Sequence, residues 1–198
     1  GRLRLALNAS TAPGPERTVL HLGLGSFHRA HEAVYLHQLR ESGDRSWSIV
    51  AGNIRADMEA TAGALAAQQG AYTLETVTPQ GERLYERITS IREVVPFTPT
   101  LERLVAVGAE TSTGIVSFTV TEAGYYLDTA DRLDLSHADL RADLEGRACA
   151  TIYGAVAAIL RERMRRGGGA VTLLNCDNLR SNGSRFRAGL LEFLDRSG

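Results

Sequence analysis

The chain has 198 residues, with 23 acidic and 22 basic side chains, and all 22 basic residues are arginine. The absence of lysine excludes a Schiff-base lysine, a lysine general base and a P-loop within this sequence, since arginine keeps its proton near neutral pH. The net charge of −1 gives no indication of nucleic acid or an anionic membrane surface as a partner, and no apolar run is long enough to span a bilayer.

The first part of the chain alternates short apolar runs with helical patterns. We expect residues 1–17 to form a lead-in segment, because two prolines and a glycine near its end interrupt any regular element. A buried strand at 18–22 leads through a glycine turn into a helix over 27–43. A second strand at 47–51 and a helix over 57–69 follow, and this βαβα order is typical of a parallel sheet.

The rest of the chain adds a hairpin and further strands and helices. We expect, in order, paired strands at 72–77 and 83–88, a strand at 91–95, a helix over 99–107, a buried strand at 114–120, a charged, surface-like stretch at 129–145, a helix over 147–166, a buried strand at 170–174 and a helix over 183–194. This order predicts an α/β fold with a doubly wound, mostly parallel sheet and an inserted β-hairpin.

A Gly-x-Gly turn joins the first strand to the first helix. Gly23 and Gly25 would allow a tight turn and a close approach to a pyrophosphate, and the amides at the helix start would face the phosphates. His28 stands where the usual third glycine would be, so a plain strand–helix connection remains an alternative.

The end of the second strand leaves the choice between NAD and NADP open. An acidic residue usually binds the adenosine ribose at this point, but the strand runs into Asn53 and Arg55, and the first carboxylate is Asp57. Asn53 could bond a ribose hydroxyl, and Arg55 could pair with a 2′-phosphate. Asp57 or Glu59 could still reach the ribose, and a solvated helix start is equally compatible with Arg55 and Asp57.

Three strings in order carry a family resemblance: GLGSFHRAH at 23–31, TVTEAGY at 119–125 and NCDNL at 175–179. The first resembles the signature of the polyol-specific long-chain dehydrogenases, which include mannitol 2-dehydrogenase, arabinitol dehydrogenase, fructuronate reductase and tagaturonate reductase. The other two resemble the segment after a central strand of that family and its asparagine-bearing loop. The similarity runs from about residue 19 to 190, nearly the whole chain.

The resemblance implies a Rossmann-like dinucleotide-binding domain over residues 18–198, with NAD as cofactor and NADP not excluded. It implies hydride transfer between the nicotinamide and a secondary alcohol or ketone of a polyol or hexuronate, of the mannitol/fructose or mannonate/fructuronate type. The residues that would bind the cofactor are Gly23, Leu24, Gly25, Ser26, Phe27, His28, Arg29, Asn53, Arg55, Thr121 and Glu122.

Asn178 is the candidate catalytic residue. By the resemblance, its amide would donate to the substrate oxygen, where negative charge grows as hydride moves. Asparagine also suits turns and helix caps, so a structural role for Asn178 and Asn182 is the alternative.

A mainly helical C-terminal domain supplies the lysine general base in this family, and nothing in the sequence matches it. We therefore expect the cofactor-binding half of an oxidoreductase, which binds dinucleotide without turnover and has the missing domain and a polyol or sugar acid as partners. The alternative is a non-catalytic dinucleotide-binding or interaction module that retains the fold. An exposed apolar face is expected where the missing domain would pack.

The histidines and cysteines complete the sequence-based expectations. We expect no metal site, because His28 and His31 have no further ligands spaced nearby, and His21 is expected to be a hydrogen-bonded packing residue. Cys149 and Cys176 lack metal-ligand spacing and indicate free thiols in a reducing compartment, which predicts a cytoplasmic protein. Asp177 beside Cys176 disfavours a thiolate nucleophile.

Overall fold

The computed structural model describes residues 16–198, and the lead-in segment up to residue 15 lies outside the described part. The strands are β1 (Arg17–Leu22), β2 (Trp47–Gly52), β3 (Tyr72–Val77), β4 (Arg83–Ile88), β5 (Ile91–Val95), β6 (Thr113–Phe118) and β7 (Thr172–Asn175). The helices are α1 (Ser26–Ala30), α2 (Glu32–Glu41), α3 (Glu59–Ala67), α4 (Glu102–Ala109), α5 (Ala138–Leu144), α6 (Ile152–Arg166) and α7 (Asn182–Ser197). Within residues 16–198, no helix is long and apolar enough to cross a bilayer.

Five strands form one parallel sheet in the order β5-β2-β1-β6-β7. The chain moves outward from β1 through β2 to β5, crosses back to β6 and then continues outward to β7. The direction of winding therefore reverses between β1 and β6, and helices make the long crossovers that parallel strands require. The predicted doubly wound α/β fold is confirmed.

Helices pack on both faces of the sheet, and each face has its own apolar core. Leu20 and Val116 point into the larger core with α4, α6 and α7, which supply large side chains such as Tyr153 and Phe186. Neighbouring strand residues point to opposite faces, so Val19 instead joins the smaller core with α2 and α3. Because β1 and β2 contact an apolar core on each face of the sheet, their sequences are nearly uninterrupted hydrophobic runs.

The inserted hairpin is confirmed, and it stands apart from the main sheet. β3 and β4 pair antiparallel over their full length, and most of their side chains are exposed. The turn is closed by Thr78 N, which donates to Glu82 O at 2.9 Å, with Gly81 at φ +83°. The Tyr72 hydroxyl donates to Arg29 O, so the base of the hairpin supports α1.

The helix predicted over 27–43 is two helices, α1 and α2, that meet at His31. The backbone of His31 leaves the helical region, with φ −128° and ψ −86°. Its Nδ1 lies 2.9 Å from Phe27 O, a side-chain contact with the carbonyl four residues earlier that competes with regular helix. The apolar spacing continues across the break, so the pattern alone could not reveal it.

The stretch at 129–145, predicted to be surface-like, contains the buried part of α5. Leu140 is fully buried, and the Asp143 carboxylate accepts hydrogen bonds from Ala150 N at 2.9 Å and Thr151 N at 2.8 Å. These bonds fix the chain before α6, which begins at Ile152 rather than at 147 and is capped by the Thr151 hydroxyl. Most of the stretch is exposed, as predicted, and the exceptions are two buried leucines, Leu133 and Leu140, and the buried carboxylate of Asp143.

The strand predicted as buried at 170–174 is β7, a half-exposed edge strand at 172–175. Among the strands of residues 16–198 it pairs only with β6, and Leu174 is 41% exposed. α7 packs on one face of this part of the sheet, while α1 and α2 stop short of β7 on the other face. The strand is apolar, as predicted, but residues 16–198 leave it half exposed.

Candidate active site at the carboxyl edge of the sheet

The glycine turn lies at the carboxyl end of β1, where the winding of the sheet reverses. Gly23 has φ +129°, which favours glycine, and its amide donates to Gly52 O at 2.8 Å, so the turn is fastened to the end of β2. Gly25 precedes α1 with nothing within 4 Å of the position its Cβ would occupy. The first amides of α1, at Ser26 and Phe27, have no intrahelical acceptor. The turn therefore presents open backbone at the switch point where α/β proteins bind ligands.

The other residues predicted around this turn have mixed positions. Ser26 and Phe27 are exposed, whereas Leu24 is fully buried in the smaller core. Arg29 turns back to donate from Nε to Leu24 O at 3.1 Å, which holds the turn in shape. His28 is 2% exposed and lies beneath the turn. The side chains of Leu24, His28 and Arg29 are thus placed to shape the turn from below and from the side.

A buried polar cluster lies directly under the turn. The rings of His21 and His28 stack with centroids 3.6 Å apart and an interplanar angle of 13°. His21 Nδ1 lies 2.8 Å from Ser117 Oγ, which donates to Glu32 Oε2 at 3.0 Å. His28 Nδ1 lies 3.0 Å from Glu32 Oε2, a contact between imidazole and carboxylate without good hydrogen-bond geometry. Within residues 16–198, neither His28 nitrogen nor His21 Nε2 makes a hydrogen bond. The expectation that His21 is fully hydrogen-bonded is therefore wrong for one of its nitrogens.

Burial and charge determine the protonation of this cluster. Burial lowers the pKa of His21 to about 4, with its hydrogen bond toward Glu32 acting in the opposite direction. Burial alone would raise the pKa of Glu32, but its contacts with the two histidines outweigh burial and hold that pKa well below its usual range. Near neutral pH the cluster is therefore a neutral His21 beside an ionised Glu32.

His21, His28 and Glu32 bring three potential ligand atoms within 4.8 Å of one another. A metal must lie close to the plane of each imidazole that binds it, along the nitrogen lone pair. Two nearly parallel rings 3.6 Å apart direct their lone pairs side by side and not toward one point. The geometry therefore disfavours a metal here, and the absence of a metal site stays a prediction.

The end of β2 places Asn53 and Arg55 differently. Asn53 is 6% exposed, next to the glycine turn that is fastened to Gly52. Arg55 is half exposed and forms an ion pair with Asp139 in the first turn of α5. Asp57 and Glu59 are exposed and lie in the short 3₁₀ turn before α3 and at its start.

The loops after β6 and β7 are joined by one hydrogen-bond network. Asp177 accepts from Val120 N and from the Tyr125 hydroxyl, both at 2.6 Å, and Asn175 Nδ2 donates to the same hydroxyl at 2.5 Å. Asn182 Nδ2 donates to Asn175 O at 3.3 Å and to Asp177 O at 2.8 Å, which is the turn-forming role that the sequence left open for it. Burial raises the pKa of Asp177, and its hydrogen bonds oppose that shift.

This network fixes the backbone on either side of the remaining predicted residues. Thr121 and Glu122 are exposed at the start of the 3₁₀ turn after β6, and Asn178 is exposed immediately after Asp177. Within residues 16–198, the Asn178 side chain makes no hydrogen bond, so its amide is available to a ligand. Cys176 lies beside it, and burial, followed by the charges of Glu32 and Asp177, raises the pKa of its thiol to about 11, which disfavours a thiolate.

Sequence reasoning missed four residues that shape this edge: Glu32, Ser117, Asp139 and Asp177. Glu32 could have been noticed, because it lies one helical turn after His28 and contacts it. Asp177 was read only as a neighbour of Cys176, although a carboxylate directly after a strand end suits loop anchoring. Ser117 and Asp139 contact residues 85 and 84 positions away, and no local pattern predicts such pairs.

Comparison with known proteins shows which proteins this domain is similar to. The family model described as "Mannitol dehydrogenase Rossmann domain" matches residues 17–197. D-arabinitol 4-dehydrogenase of Ralstonia nicotianae is 61% identical over 183 residues, which are 91% of this chain and 39% of that protein. D-arabinitol 4-dehydrogenase of Klebsiella pneumoniae is 57% identical over 91% of this chain and 40% of that protein. The chain thus spans about 40% of the length of these relatives.

A solved structure agrees with both the fold and the family. The ternary complex of Pseudomonas fluorescens mannitol 2-dehydrogenase with NAD and D-mannitol superimposes with a TM-score of 0.85 at 30% identity. The match covers 96% of this chain and 39% of that one. The parallel sheet, the open glycine turn at its switch point and the family match over nearly every described residue agree, and the chain belongs to the mannitol dehydrogenase family as its Rossmann domain.

Proposed function

We propose that this chain is the cofactor-binding part of an NAD-dependent dehydrogenase that transfers hydride between the nicotinamide and a secondary alcohol or ketone of an acyclic polyol or sugar acid. The observation that carries the proposal is the open backbone at Gly25, at the switch point between β1 and β6. The relatives at 61% and 57% identity are named D-arabinitol 4-dehydrogenases, which favours a polyol over a hexuronate. The bound NAD in the mannitol 2-dehydrogenase complex supports NAD as the cofactor.

The predicted residues take the following roles in this proposal. The pyrophosphate lies against Gly23, Gly25 and the exposed residues Ser26 and Phe27. The conformation of the turn is maintained by Leu24, His28 and Arg29. Asn53 bonds the adenosine ribose, and Thr121 and Glu122 border the nicotinamide. NAD, when bound, supplies the hydride acceptor.

Asn178 is positioned to act on the substrate. Its free amide donates to the substrate oxygen and stabilises the negative charge that develops there during hydride transfer. In the family that the chain belongs to, the resemblance makes a lysine the general base, and these 198 residues contain no lysine. We therefore propose that a lysine outside them takes the proton of the alcohol. The isolated chain is therefore expected to bind dinucleotide without turnover.

A cavity of about 370 Å³ supports a second domain as the partner. It lies between α1 and α2 and the strands β1, β6 and β7, of which β7 is an edge strand. Its exposed rim includes Tyr35 at 63% and Leu174 at 41%. His21, His28 and Thr119 line it with buried nitrogen and oxygen atoms that lack hydrogen-bond partners. We propose that the lysine-bearing helical domain of the family packs here, because it would cover the apolar rim and pair those atoms.

The test is a calorimetric titration of the chain with NADH, using Gly25→Ala as the informative variant. Gly25 has φ −62°, which alanine adopts freely, and no atom of residues 16–198 lies within 4 Å of the position of its Cβ, so the variant should fold normally. A Cβ would nevertheless occupy the space of a pyrophosphate packed against the turn, and we expect NADH affinity to fall at least about tenfold.

Gly183→Ala is the matched control, because its Cβ also meets nothing within 4 Å and it lies outside the turn, in α7. This variant should bind NADH like the parent chain. Equal NADH affinity of Gly25→Ala and the parent would overturn the proposed cofactor site. Oxidation of D-mannitol or D-arabinitol by the chain alone would contradict an external base, whereas a full-length protein that binds NADH but never turns over would favour a non-catalytic module.

The free thiols of Cys149 and Cys176 support a cytoplasmic location, which we propose for the same protein. Burial raises the pKa of Cys149 to about 12, so this thiol is poorly reactive. Labelling of both cysteines by a thiol reagent after denaturation of protein from native cells would agree with this location, and a disulfide would contradict it.

A further inference from the structure

A cavity of about 580 Å³ lies beside the end of β2, where a Rossmann domain binds adenosine. The loops after β2 and β5 and the connection between α5 and α6 form its walls. Ile54, Phe97 and Pro99 give it apolar surface, and two arginines, Arg55 and Arg147, border it. Apolar walls with a few charged groups suit a purine with an attached ribose or phosphate.

Each of these arginines is paired with a carboxylate. Arg147 pairs with Glu145, two residues before it in the same loop. Arg55 pairs with Asp139, which reaches it from α5 across 84 positions of sequence. Burial raises the pKa of Tyr126, and the nearby charge of Arg55 opposes that shift, so the Arg55 guanidinium lies close to this phenol as well as to Asp139.

The pair changes what the end of β2 can recognise. A 2′-phosphate needs a cation with free N–H groups, and Arg55 is the cation closest in sequence to the ribose-binding position. Asp139 already accepts from one nitrogen of that guanidinium, offsets its charge and adds a negative charge that repels a phosphate. A ribose hydroxyl, in contrast, can donate to a carboxylate. The acidic residue that is missing from the β2 end in the sequence is thus supplied by another element of the fold.

We propose that Asp139 is a specificity-determining residue that favours NAD over NADP by neutralising Arg55. The inference rests on the proposed function, since it concerns the ribose end of the same dinucleotide site. Asp139 has no local sequence signal for this role, because it lies within a charged stretch of the chain. Its position against Arg55 is the observation that assigns it.

The test is Asp139→Asn, titrated by calorimetry with NADH and with NADPH at low and at high salt. Asparagine keeps the size of the side chain but releases Arg55 and removes the repelling charge. Exposed ion pairs contribute little, so we expect NADPH to bind about two- to fivefold more tightly, with NADH affinity within about twofold of the parent. High salt should diminish the gain, because it screens exposed charges.

Two further variants show whether Arg55 is responsible. Glu145→Gln releases Arg147 at the same cavity and should leave the ratio of NADPH to NADH affinity unchanged. Asp139→Asn combined with Arg55→Leu should lose the gained NADPH affinity. Circular dichroism with thermal unfolding verifies that all variants are folded.

The outcomes separate this inference from the proposed function. Retained NADH binding with an unchanged NADPH/NADH ratio in Asp139→Asn would overturn the role of Asp139 and leave the function standing. An equal NADPH gain in Glu145→Gln would also overturn it, since the effect would then be general electrostatics. If no folded variant, nor the parent, binds either nucleotide, the proposed function and this inference fall together.

Discussion

Two buried basic sites at opposite edges of the sheet differ in how completely they are hydrogen-bonded. At the amino edge, Arg163 in the last turn of α6 is 3% exposed, and its guanidinium donates to the carbonyls of Gly108, Glu110, Gly169 and Ala170 at 2.7–3.1 Å. At the carboxyl edge, His21 and His28 are equally buried, but within residues 16–198 three of their four ring nitrogens make no hydrogen bond, and one of these three, His28 Nδ1, contacts the Glu32 carboxylate at 3.0 Å.

The difference indicates what each edge is for. Arg163 holds together the connections that enter β6 and β7, and all of its hydrogen bonds are to backbone carbonyls of the domain itself, so this buried cation is satisfied within the domain. The histidine pair lies under the glycine turn with unmet hydrogen-bonding capacity, which is costly unless a ligand or a packed domain satisfies it. The buried polar group at the amino edge therefore stabilises the domain, and the one at the carboxyl edge is suited to ligand binding. Ligands of α/β proteins bind at the carboxyl ends of the strands, where the winding of the sheet reverses.

The largest effect should come from Arg163→Lys. A lysine ammonium has three donors on a flexible stem and cannot span four carbonyls, so buried acceptors would be left unpaired. We expect the free energy of unfolding to fall by about 3–5 kcal/mol in urea titrations, with NADH affinity of the folded fraction unchanged. Arg166→Lys, on the exposed side of the same helix, is the control and should change stability by less than about 0.5 kcal/mol. Equal stability of the two variants would contradict the assignment of Arg163.

A smaller effect should appear on acidification, and it originates at the carboxyl edge. The pKa of His21 is about 4 in the folded chain and about 6.5 when unfolded, so the unfolded state binds the extra proton first. Stability is therefore full above pH 6.5 and falls as pH drops toward 4. The lowered pKa of Glu32 adds a loss in the same direction below its ordinary range.

We expect a loss of up to about 3 kcal/mol, part of it already between pH 6.5 and 5, where most carboxylates are not yet titrated. Urea midpoints measured across that interval give the slope. His137→Gln removes an exposed histidine and should retain the slope, while His21→Gln should flatten it. A slope that persists in His21→Gln would show that another group is responsible.

The smallest effect should come from Tyr125→Phe, which tests the completed network between the β6 and β7 loops. The change removes the hydroxyl that donates to Asp177 and accepts from Asn175. We expect a loss of about 1–2 kcal/mol in unfolding free energy. Tyr35→Phe, at an exposed tyrosine, is the control and should be neutral. A neutral Tyr125→Phe would show that carboxyl-edge polar contacts contribute little even when they are fully paired.

The sequence by itself determined the fold class, the strand–turn–helix start and the family. These features follow from local patterns: apolar runs for β1 and β6, glycines where the backbone must turn, and the strings at 23–31, 119–125 and 175–179. The hairpin was equally predictable, because alternating strands flank a Pro-Gln-Gly turn. The absence of lysine also excludes lysine-based chemistry within these 198 residues whatever their conformation, since folding cannot supply a residue type that the chain lacks.

Tertiary structure alone decided the contacts that join distant parts of the chain. Three contacts depend on how the crossovers place their ends, which periodicity does not encode. They are the Arg55–Asp139 pair, the Ser117–Glu32 contact under the turn and the Asp143 contact with Thr151, the residue that caps α6. The same holds for the exposure of β7, since burial of an apolar strand depends on its neighbours and not on its own side chains. Arg163 combines a local and a tertiary contribution. Its apolar stem fits the helical pattern in the sequence, but only the fold brings four carbonyls around its guanidinium.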